Sequence, residues 1–271
     1  MRRNILKIIL SLLVCHPALL LGAAAVAGLL YAYEVIVARP AMIYMGIPKE
    51  GASVLGNRTR ILRNEAYMTG YSDLLGNPLW VVYRLHPLPK AAPFFKRPKS
   101  FRIDWRNLTF ITPSDYTQSG YDRGHLAPSY AISRLYGRNA QEETFLMTNI
   151  TPQRPNLNQK AWQRLEQLEL DRFASEYETL WVVAGPVFNA KRERLKNSFF
   201  VEIPDAFYKI YVGEKVGNEP NMWAYLIPRN VKGAEKLEKF RTPVDVIESM
   251  TGFDFFSGLP DEIEERLERK R

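Results

Sequence analysis

Only three histidines are available to this chain as imidazole bases, and one of them stands among groups that could set it to work. His16 lies in an apolar N-terminal run and His86 precedes Pro87, whereas His125 closes the sequence Asp122-Arg123-Gly124-His125. That sequence puts an imidazole beside a carboxylate, a guanidinium and a glycine. A neutral histidine is the side chain best able to take a proton from water near pH 7, and Gly124 lets the backbone approach closely or turn sharply. Taken alone, the four residues fit equally a surface histidine in a polar turn. Further along, Asn158, Trp162 and Glu166 are spaced i, i+4, i+8. On an α-helix Trp162 lies near the face of Asn158, while Glu166 falls about 80° round and ~12 Å along the axis. That separation opposes direct ligation of one ion by both. It suits Mg²⁺ held by the Asn158 amide oxygen, with Glu166 holding water, because Mg²⁺ is hard and keeps much of its hydration shell. The plain alternatives are a helix N-cap for Asn158 and a solvated helix face for Glu166.

In chain order the motifs read Asp122 to His125, Asn149-Ile-Thr-Pro-Gln153, and Asn158-Gln-Lys-Ala-Trp-Gln-Arg-Leu-Glu166. This succession closely resembles the DNA/RNA non-specific endonuclease family, the endonuclease G-like enzymes. Its hallmark is Asp-Arg-Gly-His, followed by Asn-x-x-Pro-Gln and Asn-x-x-x-Trp-x-x-Leu-Glu. The likeness is dense over residues 97–166 and weaker from Val182-Val-Ala-Gly-Pro186 to the stretch ending at Phe253. The resemblance implies an α+β fold of the ββα-metal (His-Me finger) type with a mixed central β-sheet. It implies that His125 ends a strand as general base, that Asn158 is the sole direct protein ligand of the metal, and that Glu166 orients metal-bound water. Arg97 matches the phosphate-binding arginine, with Lys99 and Arg102 as nearby substitutes. Asn149 would support the catalytic site, and Asp122 and Arg123 would shape it and meet the substrate. The implied activity is a Mg²⁺-dependent endonuclease, with Mn²⁺ as a substitute ion. It would hydrolyse DNA and/or RNA largely regardless of sequence, leaving 5′-phosphate and 3′-hydroxyl ends. Two other readings stand beside it: a nucleic-acid-binding or uptake protein that cleaves little, and a phosphodiesterase acting on a smaller substrate.

The elements that must position these residues are legible in part. Leu79–Leu85 reads as a strand stopped by His86-Pro-Leu-Pro89, and Ala91 to Lys99 as a Pro-rich basic loop. Leu157 to about Ser175 reads as a helix with Trp162, Leu165, Leu168, Leu170 and Phe173 on its apolar face. Leu180–Ala184 reads as a buried strand ended by Gly185-Pro186. Phe199–Ile203, Tyr208–Val212 and Met222–Ile227 read as further strands, and Pro243–Met250 and Asp261–Arg269 as closing helices. With no regular βαβ alternation, this is one α+β domain over residues 61–271, after a linker at 39–60.

Residues 1–38 are of another kind. Arg2, Arg3 and Lys7 precede 26 uncharged residues, Ile8 to Tyr33, enough for a helix to cross a bilayer. The positive-inside rule places the domain on the translocated side. That side is the periplasm or exterior for a bacterial chain and the mitochondrial intermembrane space for a eukaryotic one. A signal peptide cut after Ala25-Val-Ala27 is the rival, but cleavage there would leave the apolar Gly28–Tyr33 as a new terminus.

Composition narrows the chemistry. The 271 residues carry a net charge of +8 and are 46% hydrophobic, so a packed core is expected. Beyond residue 40 the basic surplus is +5, which fits either a polyanionic partner or ordinary solubilising charge. The single cysteine, Cys15, lies in the apolar run, which excludes an intrachain disulfide, a cysteine-based zinc site and a Cys–His pair in the globular part.

Overall fold

The computed structural model describes residues 17–51 and 58–269, and the chain divides into two compact units between Ala41 and Met42. In the first unit, helix α1 (Pro17–Tyr33) runs on through a π-helical turn at Glu34–Ala38. Ala18–Met42 forms a helical run of 25 residues with hydropathy 1.9, long and apolar enough to cross a membrane. Arg2, Arg3, Lys7, Cys15 and His16 lie outside the described residues.

The second unit begins earlier than the sequence implies. Ile43 and Tyr44 are buried, and Tyr44 meets Phe256 edge-on at 6.1 Å. Residues 42–50, expected as linker, therefore belong to the folded unit. Scattered Gly and Pro hid two apolar side chains that have a core to join. Residues 52–57 of the expected linker lie outside the described ones.

In chain order the strands are β1 (Lys49–Glu50), β2 (Arg60–Arg63), β3 (Tyr67–Ser72), β4 (Asn77–Leu85), β5 (Asp122–His125), β6 (Ile150–Gln153) and β7 (Thr179–Val187). They continue with β8 (Glu193–Arg194), β9 (Glu202–Ile203), β10 (Ala206–Glu214), β11 (Asn221–Pro228), β12 (Arg241–Thr242) and β13 (Phe253–Asp254). Seven of them form the central sheet in the order β12-β11-β10-β7-β4-β3-β2. Every pairing in it is antiparallel, which corrects the expected mixed sheet. Short turns join β2 to β3, β3 to β4 and β10 to β11, and such connections produce antiparallel neighbours. The expected strand at Phe199–Ile203 shrinks to β9, which pairs with β8 outside the central sheet.

Alternation along the strands builds two cores. Val81, Tyr83, Phe207 and Tyr211 enter one, and Trp80, Val82, Tyr208 and Ile210 enter the other. The first is covered by α2 (Ser129–Glu143) and by α3, a continuous helical stretch over residues 157–176. The second is covered by α4 (Val244–Thr251), α5 (Asp261–Glu268) and the segment around Tyr44. Helix α2 has no counterpart in the sequence reading. It is broken at Gly137, whose φ of 89° suits glycine, and its apolar stripe is short.

Candidate functional site

The frame of the site is the antiparallel pair β5–β6, in which His125 faces Ile150 and Gly124 faces Thr151. A Cβ on Gly124 would collide with the Gln153 side chain, so the residue before His125 must be small. His125 ends β5 and is only 8% exposed. Phe101 and Phe145 flank its ring, with centroids 5.4 and 4.9 Å away. Its Nε2 is buried without a hydrogen-bond partner. Burial, and then the positive charge of Arg97, push the pKa of the ring down to about 3, which leaves it neutral at pH 7.

Helix α3 supplies the opposite wall. Its first segment, Leu157–Trp162, is π-helical, and Gln163–Leu168 continues as α-helix. A π turn closes i to i+5 and so advances less than ~100° per residue. The eight residues from Asn158 therefore bring Glu166 back toward the Asn158 face, and both line one pocket. Asn158 is not an N-cap. It lies inside the helical stretch, its backbone N–H donates to the Arg154 carbonyl at 2.9 Å, and its Nδ2 donates to Asp122 Oδ2 at 2.9 Å. Gln159 Nε2 donates to the same Asp122 oxygen at 2.8 Å. With the amide nitrogen committed to Asp122, the Asn158 oxygen is the atom left to meet a cation.

Glu166 is not on a solvated face. Its Oε1 is buried without a partner. Burial raises its pKa to about 7, with Lys209 pulling it down, Glu169 pushing it up and Arg97 pulling it down. Between the two walls, the Trp162 indole N–H donates to the His125 carbonyl at 3.2 Å and ties α3 to the end of β5.

The cavity is about 620 Å³ and is lined by Arg97, Arg123, His125, Asn158 and Glu166, among others. The Arg97 guanidinium lies 5.0 Å over the Phe145 ring. Of its two sequence rivals, Arg102 donates to the Glu142 carbonyl at 2.7 Å, and Lys99 is exposed. Neither lines the cavity. Arg123 donates through Nε to the Pro113 carbonyl at 3.1 Å and packs 5.7 Å from the Phe101 ring.

Asn149 stands apart. It is fully buried and does not line the cavity. Its Oδ1 accepts the Ala127 N–H at 2.9 Å, and its Nδ2 donates to the Ala127 and Thr144 carbonyls at 3.1 and 2.9 Å. An amide so occupied holds the backbone just beyond His125 and has no hydrogen left for chemistry.

The sequence reading also passed over a charged layer beneath α3. Lys209 Nζ and Glu169 Oε2 pair at 2.7 Å, both fully buried. The Tyr83 and Tyr211 hydroxyls each donate to Glu169 at 2.9 Å, and Lys209 lies 4.8 Å from the Trp162 ring. The signal was present in the alternation: Lys209 occupies the same inward register as Phe207 and Tyr211.

A hard divalent cation fits the donors of the pocket. The Asn158 amide oxygen and the buried, unpartnered Glu166 Oε1 would offer oxygen donors to such an ion and to its water, and Arg97 and Arg123 line the same cavity.

Comparison with known proteins agrees with this geometry. The family model of the DNA/RNA non-specific endonucleases matches residues 49–262, which also starts earlier than residue 61. Endonuclease G, mitochondrial, of Homo sapiens is 32% identical over 207 residues, covering 72% of this chain and 69% of that protein. A nuclease of Serratia marcescens is 29% identical over 239 residues, 83% of this chain and 84% of that one. Among solved structures, a chain from the crystal structure of the EndoG/EndoGI complex superposes with a TM-score of 0.66 at 25% identity, covering 76% of this chain and 89% of that chain.

Proposed function

This chain belongs to the DNA/RNA non-specific endonuclease family, and from that premise we propose that it is a divalent-cation-dependent endonuclease with His125 as general base. The observation that carries the proposal is the convergence of two buried, unpartnered atoms, His125 Nε2 and Glu166 Oε1, with the Asn158 amide and two arginines on one cavity. Arg97 and Arg123 draw the phosphodiester in and offset the charge that grows on its oxygens during attack. Contacts of this kind carry no base information, so DNA and RNA are cut largely without regard to sequence. Neutral His125 removes the proton from the attacking water. Asn158 would hold the cation through Oδ1, and Asp122 keeps that amide turned the right way. Mg²⁺ suits so sparse a protein ligand set, with Mn²⁺ able to substitute. When bound, the ion supplies positive charge against the phosphorane-like transition state. Ionised Glu166 holds water beside the Asn158 amide, and the leaving 3′-oxygen draws its proton from there. The products are 5′-phosphate and 3′-hydroxyl ends. The helical run at Ala18–Met42 would anchor the enzyme in a membrane, with the catalytic unit on the translocated side.

The test uses the full chain in detergent with supercoiled plasmid and with RNA, in Mg²⁺ and in EDTA. Cleavage should require the ion. His125→Ala should lose about 10²–10⁴-fold in turnover while still folding and binding DNA. Undiminished cleavage by the folded His125→Ala chain, or cleavage indifferent to EDTA, overturns the proposal.

A further inference from the structure

On the face of the sheet opposite the cavity, three carboxylates converge. Asp245 and Glu248 lie three residues apart on α4, and Glu268 comes from the end of α5. One carboxylate oxygen from each lies within 4.8 Å of the other two. Val244, Ile247 and Leu267, their neighbours in sequence, all pack into the second core. Glu268 is only 5% exposed, and its Oε1 is buried without a hydrogen-bond partner. A buried carboxylate facing two others is a costly arrangement unless something positive offsets it.

The described residues offer little compensation. The Phe255 N–H donates to Glu248 Oε1 at 2.7 Å. Arg269 Nε approaches Asp245 Oδ2 at 4.0 Å, from a side chain that is 69% exposed. Asp254 and Glu264 add further negative charge nearby. Burial, with these neighbours, lifts Glu268 to about 9 and Glu248 to about 7.

We propose that Asp245, Glu248 and Glu268 form a second, structural cation site, which takes Ca²⁺ and fastens the C-terminal helix α5 to α4. The donors are all oxygen, which excludes a preference for softer metals. Ca²⁺ takes about 6–8 oxygen ligands in flexible geometry and accepts several carboxylates at once. Mg²⁺ demands a near-ideal octahedron, keeps several waters and is usually bound through one or two carboxylates, so a set of three carboxylates from two helices favours Ca²⁺. The site differs in kind from the cavity: three carboxylates from two helices here, a single amide and water there.

The experiment is Ca²⁺ binding to the chelator-stripped full chain in detergent, read by equilibrium dialysis and by the unfolding temperature. Glu268→Gln should bind one Ca²⁺ fewer than the parent. At a free concentration ~100 times the dissociation constant, the parent should gain roughly 5–10 °C, and Glu268→Gln should lose that gain. Asp245→Asn, at a more exposed position, should behave the same way and serves if Glu268→Gln does not fold. The comparison is a difference between parent and variant, so it stands whichever residues hold the ion of the cavity. If both carboxamide variants bind as much Ca²⁺ as the parent, the site is refuted. It is refuted equally if Ca²⁺ adds nothing and acidification alone stabilises the chain, for the cluster then holds protons rather than a cation.

Discussion

At the scale of single residues, one physical cause moves His125 and Glu166 in opposite directions. Loss of water disfavours charge, so the imidazole sheds its proton and the carboxyl keeps one. For His125 the folded value of about 3 lies under the ordinary 6.5. The stability this contributes is fully present above pH 6.5 and drains away as pH falls toward 3. For Glu166 the folded value of about 7 lies over the ordinary 4.5. The folded chain then holds the extra proton, so stability is highest below pH 4.5 and declines as pH rises through 7. A catalytic role for ionised Glu166 therefore runs against the stability of the ion-free fold. In chelator, Glu166→Gln should melt above the parent at pH 8 and level with it near pH 4.5, by circular dichroism. Coincident melting curves at pH 8 would show that the carboxylate is not held at such a cost. In the same variant cleavage should drop ~10–100-fold and recover in part at high Mg²⁺. Asn158→Ala should stay inactive at every practical Mg²⁺ concentration, and a normal Mg²⁺ titration in that variant would move the ion elsewhere.

At the scale of elements, β5, β6 and α3 hold the proposed catalytic residues through bonds that take no part in the proposed chemistry. Asn149 is the clearest case. Asn149→Ala would leave the Ala127 N–H and the Ala127 and Thr144 carbonyls buried without their amide partner, each at a cost of about 1–3 kcal/mol. Its lost activity should come with a lowered urea midpoint, whereas His125→Ala, which breaks none of these hydrogen bonds, should lose activity far out of proportion to any shift in its midpoint. An Asn149→Ala chain of parental stability with no activity would return the amide to the chemistry. This contrast marks what the sequence could reveal. Apolar runs such as Leu79–Leu85 and Leu180–Ala184 announced the central strands, and both are contained in longer ones. By contrast β3, read as Tyr-Met-Thr-Gly-Tyr-Ser, mixes polar and small residues in a fully buried strand and gave no period. The spacing of Asn158 and Glu166 placed both on one helix, but their angular relation depends on the π-helical segment, which spacing does not encode. Nor does an asparagine in a motif announce whether its amide will face a cavity or a backbone.

At the scale of the whole molecule, two further expectations can be measured. The Lys209–Glu169 pair sits between the sheet and α3 with neither partner exposed. Lys209→Met should cost about 3–5 kcal/mol by leaving the carboxylate unpaired, and adding Glu169→Gln should recover part of it. A double variant no better than the single one would mean that Glu169 needs no counter-charge. The helical run at Ala18–Met42 predicts that the intact chain stays in the membrane pellet after a carbonate wash, while recovery of a soluble form starting near Gly28 would establish cleavage instead. Finally, β4 and β7 are neighbours in the central sheet, yet every residue given a role in the cavity, from Arg97 to Glu166, lies in the stretch of chain between them. The portion proposed to be reactive is thus an excursion that leaves the sheet and returns beside its point of departure. Two crossover points suffice to exchange it whole, so recombination between relatives could hand on substrate preference while the scaffold keeps its own history.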